Sequence, residues 1–335
     1  MTPIAAYPSS MRRHAIVFLL FVVAGPGWAK KPYLAKPQHG LQMRTAPYVV
    51  GPGEDREWCE YRRAPITNAM DVSGFKVRMP EGAHHFVVWG YGGPEQDDAK
   101  FPQSPVESVG CTGLGPGEIS PRVIIPLQSP NTRFRMPKGV ALRITPGQQL
   151  WLNSHLRNDS DVPVTPDIRF NFYAAKPGTV EHQAQGLIVG NITDIDIPAG
   201  GEQTITAEWT APINVNMVFL STHQHRLGTH ANIELVGADG TSTTTIYENF
   251  RWDHPRSFWP QPVIRLAKGE KMRITCTWHN TDATPIYFGP NTTDEMCFIL
   301  GFYYRDPGDT EDVPFGECMP STDDGLLCPF APLVP

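Results

Sequence analysis

The chain has 335 residues, a formal net charge of −6 and a charged fraction of 19%. The negative balance and the absence of a basic stripe give no indication of nucleic-acid binding. Proline (34) and glycine (30) are abundant but scattered between apolar runs, which indicates short strands and turns and excludes a disordered linker.

Residues 1–29 have the pattern of a secretory signal peptide. Residues 12–14 are basic, residues 15–24 are apolar, and small residues stand at the −3 and −1 positions of a cleavage site after Ala29. Either Met1 or Met11 could be the start. The apolar run is too short to span a bilayer, and no later stretch is longer. We therefore expect a protein without a membrane anchor that is secreted or periplasmic.

Export makes the six cysteines candidates for disulfide bonds. Six cysteines allow about fifteen connectivities, so the pairing is open. Nearness in the sequence favours the pairs Cys59–Cys111, Cys276–Cys297 and Cys318–Cys328. The competing interpretation is a cysteine metal site, but no Cys-Xaa-Xaa-Cys motif occurs.

The mature chain is a succession of β-like runs with turns between them. Residues 37–175 form the first block, residues 174–178 (AAKPG) the boundary, and residues 179–306 the second block. A tail over residues 307–335 carries the last cysteine pair. The predicted strands are 75–79, 86–89, 150–156, 168–172, 203–209, 215–220, 230–236, 243–252, 272–278 and 297–304.

No convincing helix of any length follows the signal peptide, and residues 238–240 (ADG) give a hairpin turn signal. Regular short strands with frequent turns predict an all-β chain. The expected architecture is two consecutive antiparallel β-sandwich domains of the jelly-roll type.

A His-Xaa-His motif ends one of the predicted strands. The apolar run over residues 215–220 leads into THQHRLG at residues 222–228. In a strand, residues i and i+2 share a face, so His223 and His225 should project together as half of a metal site. The alternative is a pair of solvated histidines on an edge strand.

Other segments contain further candidate ligands. His84 and His85 open the run 86–89, and adjacent residues can reach one ion only at a strand end or bulge, one through Nδ1 and the other through Nε2. His155 ends a strand, with Trp151 and Asn153 on the same face. Met296 begins the last long strand. Separately, each has an ordinary interpretation: a surface histidine, an accidental pair, or a core methionine.

These segments occur together in one order. HHFVVWGY (84–91), LWLNSHL (150–156), THQHRLG (222–228) and TDEMCFILGFYY (293–304) resemble the motifs of the copper type II, ascorbate-dependent monooxygenases. That family includes peptidylglycine α-hydroxylating monooxygenase and dopamine β-monooxygenase. The resemblance runs from about residue 58 to residue 304.

The resemblance implies two coppers per chain. His84, His85 and His155 would hold an electron-donating copper, and His223, His225 and Met296 would hold the copper that reacts with dioxygen. A thioether favours Cu(I), whereas imidazole serves both oxidation states. Ascorbate or another reductant would supply electrons, and water would fill the gap between the sites. Bridges Cys276–Cys297 and Cys59–Cys111 also fit the family pattern.

The substrate pocket departs from the peptide-amidating members. Ser221, Phe298 and Leu300 stand where those enzymes use Arg, Asn and Tyr. Phe298 and Leu300 share the strand face of Met296 by the two-residue period. We therefore expect an apolar pocket with no fixed cation, and a small, neutral, apolar or aromatic substrate oxidised at a C–H bond.

Two rival functions are compatible with parts of the sequence. A non-catalytic exported copper-binding protein, for buffering or delivery, could use the same ligands. A hydrolase on this architecture would need a carboxylate pair in a cleft, and no distinctive pair is present. His182, His230, His254 and His279 complete no further site, so we expect structural or surface roles for them.

Overall fold

The computed structural model describes residues 34–80, 82–91, 106–107, 121–191, 193–289, 291–308, 319–321 and 325–329. The predicted signal peptide lies outside the described residues, and the exported location stays a prediction. Strands form almost all the regular structure, and no helix occurs among the described residues, which confirms the all-β class. In particular, that part of the chain has no helix long and apolar enough to cross a membrane.

Two sheets lie in the first half of the chain. Sheet 1 has the order β1-β10-β3-β8-β11 with β7 paired to β3, and sheet 2 has the order β5-β2-β9-β4-β6. The strands are β1 Gly40–Arg44, β2 Asp55–Arg63, β3 Met70–Arg78, β4 Ala83–Tyr91, β5 Val106–Glu107, β6 Pro121–Leu127, β7 Arg133–Arg135, β8 Val140–Ile144, β9 Gln149–Arg157, β10 Arg169–Ala174 and β11 His182–Gln183.

Two larger sheets and a two-stranded sheet, β13-β20, lie in the second half. Sheet 3 has the order β18-β15-β21-β12-β23-β22, and sheet 4 has the order β14-β19-β16-β17. The strands are β12 Gln185–Gly190, β13 Asp196–Ile197, β14 Glu202–Thr210, β15 Val215–His223, β16 Gly228–Val236, β17 Thr243–Asn249, β18 Ile264–Leu266, β19 Lys271–His279, β20 Ile286–Tyr287, β21 Phe298–Arg305, β22 Met319–Ser321 and β23 Gly325–Pro329.

Antiparallel pairing dominates, and every predicted strand overlaps an observed one. The ADG signal connects β16 to β17, which pair antiparallel. The predicted strand over residues 243–252 extends too far, because β17 ends at Asn249. Trp252 instead lies in the following loop, where its ring centroid is 5.4 Å from that of His84.

The strands β15 and β21 of sheet 3 are buried on both faces. Along β21, Ile299 and Tyr303 pack into the core shared with sheet 4, whereas Phe298, Leu300 and Phe302 pack into the core of the first half. This explains why the strand reads as a continuous apolar run rather than an alternating one. The contacts group Pro32–Pro335 into one compact unit, so the division into two domains at residues 174–178 stays a prediction.

One predicted disulfide is formed between described residues. Cys276 on β19 bonds to Cys297 immediately before β21, with the two Cα atoms 6.0 Å apart. Cys59 is also disulfide-bonded. Its predicted partner Cys111 lies outside the described residues, as does Cys318, so the other two pairings stay predictions.

Candidate metal centre

Five histidines from both halves of the chain converge on one place. Within the first predicted set, the ring centroids of His84, His85 and His155 are 5.1–5.3 Å apart. The His223 and His225 rings are 5.0 Å apart. The two sets are in contact, since His223 lies 5.6 Å from both His84 and His85. The expected gap between two separate sites is therefore absent at these rings.

Pairing within sheet 2 explains how the first three rings meet. His85 on β4 stands directly opposite His155 on β9, and Glu57 on β2 stands opposite His155 from the other side. The register of β4 against β9 shifts between Ala83 and His85. This irregularity is the strand-end bulge that adjacent histidines need if both are to face one site.

His223 and His225 are positioned by a turn rather than by a continuing strand. β15 ends at His223, and the Gly228 N–H donates to the His225 carbonyl across the turn at 3.0 Å. The two rings lie together as expected, although the strand period ends at His223 and a turn carries His225. The turn keeps them together because its backbone is held from outside.

Glu295 holds that turn. Its carboxylate accepts hydrogen bonds from the backbone N–H of His225 at 2.9 Å, from that of Leu227 at 2.7 Å, and from the Trp278 indole at 2.7 Å. Burial raises the pKa of Glu295 to about 7, against the opposing effect of these donors. Because Met296 is the next residue, Glu295 fixes the turn that carries His225 and the start of the thioether's strand to one frame.

Four of the five rings are oriented by an oxygen on the side away from the cluster. His85 Nε2–H donates to Asn153 Oδ1 at 2.6 Å, and His155 Nε2–H donates to Asp55 Oδ1 at 2.5 Å. The other two donors act through Nδ1–H, His223 to the Gln128 amide oxygen at 2.6 Å and His225 to the Asp294 carbonyl at 3.1 Å. Outer-shell acceptors of this kind fix the ring that ligates a metal.

Four ring nitrogens of the cluster are left without partners. They are buried and form no hydrogen bond: His84 Nε2, His85 Nδ1, His155 Nδ1 and His225 Nε2. Nε2 in His84 and Nδ1 in His85 are the combination that two adjacent strand residues require to face one ion. Buried polar atoms are normally satisfied, so several orphaned imidazole nitrogens at one point indicate a site built for a metal.

The electrostatics favour the neutral form of three of these rings. Burial lowers the pKa of His84 and His223 well below the usual 6.5, and the neighbouring imidazoles lower it further. Burial together with His155 and His85 lowers the pKa of His225 to about 3. A neutral imidazole offers a lone pair, which is the form that binds metal.

The donor set fits copper. Ligand atoms of His84, His85 and His223 lie within 4.8 Å of one another, so that trio, which crosses the two predicted sets, could hold an ion. Met296, 8% exposed, lines one cavity together with His85 and His223. Imidazole and thioether donors without cysteine thiolate suit copper in both of its biological oxidation states.

A cavity of about 50 Å³ adjoins the cluster. Its walls include the predicted pocket residues Phe298 and Leu300, whereas Ser221 does not line it. The Ser221 hydroxyl donates instead to the Arg256 carbonyl at 3.3 Å. Arg226, the one nearby cation in the motif, is paired with Asp282. The lining residues are Glu57, His85, Val87, Trp89, Gln128, Asn153, Ile188, His223, Met296, Phe298 and Leu300.

Sequence reasoning missed several supporting residues. Glu57 and Asp55 lie near Cys59 without any motif of their own, and nothing local distinguishes Gln128. Glu295 was visible inside the TDEMC segment, but its role depends on donors about 70 residues away in the turn. Only Asn153 had a usable signal, because the strand period placed it on the face of His155.

The remaining described histidines near strands contact other groups. His182 stacks on Tyr304 and His230 stacks on Phe250, with ring centroids 4.7 Å and 4.5 Å apart. His254 and His279 are exposed beside acidic residues. These contacts fit the expected structural and surface roles.

Comparison with known families finds a match in the second half of the chain. Residues 201–329 match the model of the copper type II ascorbate-dependent monooxygenase, C-terminal domain. Over these residues the chain is similar to that domain, whose family is copper- and ascorbate-dependent. The matched region contains His223, His225 and Met296. His84, His85 and His155 lie outside it.

Solved structures offer weaker likenesses to this chain. A structure of infectious bursal disease virus Gx strain is 10% identical, with 84% of this chain and 76% of that chain covered and a TM-score of 0.20. Coconut allergen cocosin is 8% identical over 82% and 84% of the chains, with a TM-score of 0.14. Pumpkin seed globulin is 8% identical over 79% and 77%, with a TM-score of 0.15. At such scores these likenesses carry no conclusion.

Proposed function

We propose that this protein is an exported dicopper monooxygenase that hydroxylates a C–H bond of a small, neutral, apolar or aromatic substrate. Dioxygen and an external reductant such as ascorbate are the co-substrates. The observation that carries the proposal is the shared cavity: His223 and Met296 line the same apolar space as Phe298 and Leu300. A substrate in that space meets the ligands of the family's copper directly.

The chain's own residues prepare the site in three ways. When bound, copper would supply the electrons that activate dioxygen for insertion into the C–H bond. The orphaned nitrogens of His84, His85, His155 and His225 are the atoms available to hold it. Apolar walls exclude water from the substrate, and the hydrogen bonds of the outer shell keep each ring in its ligating orientation.

The histidine-only set would serve the electron-donating copper. His84, His85 and His155 offer nitrogen alone, which serves both oxidation states, whereas Met296 adds the sulfur that favours Cu(I). The two sets in contact support short-range electron delivery within the chain. Export is supported by the signal-like pattern over residues 1–29 and by the disulfide between Cys276 and Cys297.

The test is oxygen chemistry by the copper-loaded mature protein. With ascorbate, a panel of small apolar and aromatic compounds should give reductant-dependent oxygen consumption and a hydroxylated product that carries one ¹⁸O atom from ¹⁸O₂. His223→Ala and chelator-treated protein are the controls and should give neither. Copper uptake without oxygen consumption or labelled product would favour the copper-binding protein for buffering or delivery.

A further inference from the structure

Glu57 is a buried carboxylate at the wall of the cavity. It lies on β2, its residue surface is 6% exposed, and it lines the same space as Met296 and Phe298. Its Oε1 accepts a hydrogen bond from Asn153 Nδ2 at 2.6 Å, and its Oε2 is buried with no partner. In the described part of the chain Glu57 pairs with no Lys or Arg; its nearest basic atom is His85 Nε2, 3.7 Å from Oε1.

The two amide side chains of the cavity are already committed. Asn153 gives its oxygen to His85 and its amide N–H to Glu57. Gln128 accepts from His223 and donates to the Thr222 carbonyl at 2.7 Å. Apart from the ring nitrogens facing the metal centre, two buried polar atoms of the described cavity lining have no partner, the Trp89 indole N–H and Glu57 Oε2. Glu57 Oε2 is the acceptor of the two, so it is the atom left free to take a hydrogen bond from a ligand.

We infer that Glu57 is a specificity-determining residue, whose free oxygen accepts a hydrogen bond from a donor group on the otherwise apolar substrate. This inference rests on the proposed function and deepens it. A buried carboxylate oxygen without a partner loses its hydration and gains nothing in return, so a ligand that brings a hydroxyl or ammonium group restores the missing bond. Such charge-assisted bonds are the strong ones.

The same oxygen excludes other ligands. A carboxylate on the substrate would place like charges together in a water-poor space, and a ketone would place acceptor against acceptor. C-terminal glycine peptides, which carry a carboxylate, are therefore rejected by an anion as well as by the lack of a fixed cation. Hydroxyl and ammonium share the required chemistry, and the experiment separates them.

Because the cavity is small, the probes are small molecules that share a four-carbon skeleton and differ in their functional group. The probes are 2-butanol (hydroxyl donor), 2-butylamine (ammonium donor), 2-butanone (acceptor only) and 2-methylbutyrate (carboxylate). Binding is followed by the ¹³C-methyl signal of Met296 in the Cu(I)-loaded full chain under nitrogen, so no turnover is required.

The wild-type protein should bind a donor probe at least about tenfold more tightly than 2-butanone, with 2-methylbutyrate weakest. Tighter binding of 2-butylamine than of 2-butanol would identify an ammonium substrate, and the reverse order a hydroxyl substrate. Glu57→Gln keeps the shape and the Asn153 bond but replaces the free acceptor with an N–H donor. The preference should therefore shift toward 2-butanone.

Glu60→Gln is the matched control. Glu60 lies on the same strand and is 2% exposed, but it accepts the Ala46 N–H and pairs with Arg62, and it does not line the cavity. Its probe preferences should be those of the wild type. The Cu(II) electron paramagnetic resonance spectrum of Glu57→Gln should also be unchanged, because the inference gives Glu57 no role as a copper ligand.

Two results would overturn the inference: equal binding of donor and acceptor probes by the wild type, or a copper spectrum altered by Glu57→Gln, which would make Glu57 a metal ligand. The failure of the proposed function looks different. If the wild type prefers donor probes, Glu57→Gln loses that preference and the protein never consumes oxygen, the inference about Glu57 holds and the proposed monooxygenase function is wrong. If the protein consumes oxygen but probe binding does not depend on Glu57, the proposed function holds and the inference about Glu57 is wrong.

Discussion

At the scale of single residues, Met296 is the residue that distinguishes a catalytic copper site from an ordinary structural core. Its side chain is 8% exposed and belongs to the apolar cluster of the first half, so burial alone would make it ordinary core filler. Its place in the cavity beside His223 gives the sulfur a second role. Substituting the sulfur without changing bulk distinguishes these roles.

Met296→Ile should abolish oxygen consumption while leaving the histidine-only set loaded with copper, because isoleucine offers no sulfur to Cu(I). The cost in unfolding free energy should stay below about 1.5 kcal/mol, since the substitution nearly conserves volume. Oxygen electrode traces, copper analysis and denaturant unfolding measure the three quantities. Met217→Ile is the control, because Met217 is fully buried on β15 in the other core. Activity that survives in Met296→Ile removes Met296 from the site.

At the scale of elements, the turn after β15 and the start of β21 form one rigid unit. Glu295 ties the two segments through the backbone of His225 and Leu227, and the bond between Cys276 and Cys297 ties the same strand to β19. This bond closes a sequence separation of 21 residues, and loops of such length typically give about 3 kcal/mol of stabilisation. Both ties precede Phe298, so they hold Met296 at the cavity.

Glu295→Gln should loosen the histidine–methionine set without emptying the histidine-only set. A glutamine amide can accept through one atom only, so at least one buried N–H loses its acceptor, at a cost of about 1–3 kcal/mol. We expect lower unfolding free energy and weaker binding of one copper, measured by denaturant unfolding and by competition with a Cu(I) chelator. Glu202→Gln, on an exposed strand end, should change neither. Unaltered copper affinity in Glu295→Gln would show that the turn holds its shape without this carboxylate.

At the scale of the whole molecule, the double burial of sheet 3 brings the two histidine sets together. β15 and β21 face the first half with Phe219 and Phe302, whose rings pack on Phe134 at 5.6 and 5.7 Å. That packing places the end of β15, with His223, beside the start of β4, with His84 and His85. The metal centre is therefore a product of contact between the two halves, although each half supplies histidines of its own.

The mature protein should bind two coppers per chain, and His225→Ala should retain one, because His84, His85 and His155 stay intact. Metal analysis of the purified protein measures both values. His254→Ala is the control and should keep two, because His254 is exposed and contacts Asp253. A single copper in the wild type that persists in His225→Ala would instead indicate one ion on the trio His84, His85 and His223.

The sequence by itself determined the strands and the ligand types. Alternation and apolar runs located β3, β4, β9, β14, β15, β19 and β21, because strand formation follows a two-residue period visible within each segment. The same local reasoning placed Asn153 with His155, and Phe298 with Leu300. It also predicted that His84 and His85 need an irregularity, which the register shift at the start of β4 supplies.

Only the tertiary structure decided which of these segments touch. Gln128 meets His223 across 95 residues, and Glu57 meets Asn153 across 96. Such contacts depend on sheet order and on how sheets stack, and no periodicity within a segment records either. For the same reason, the sequence described an apolar pocket without its free carboxylate oxygen, and it did not show that the imidazoles of the two predicted sets adjoin one another.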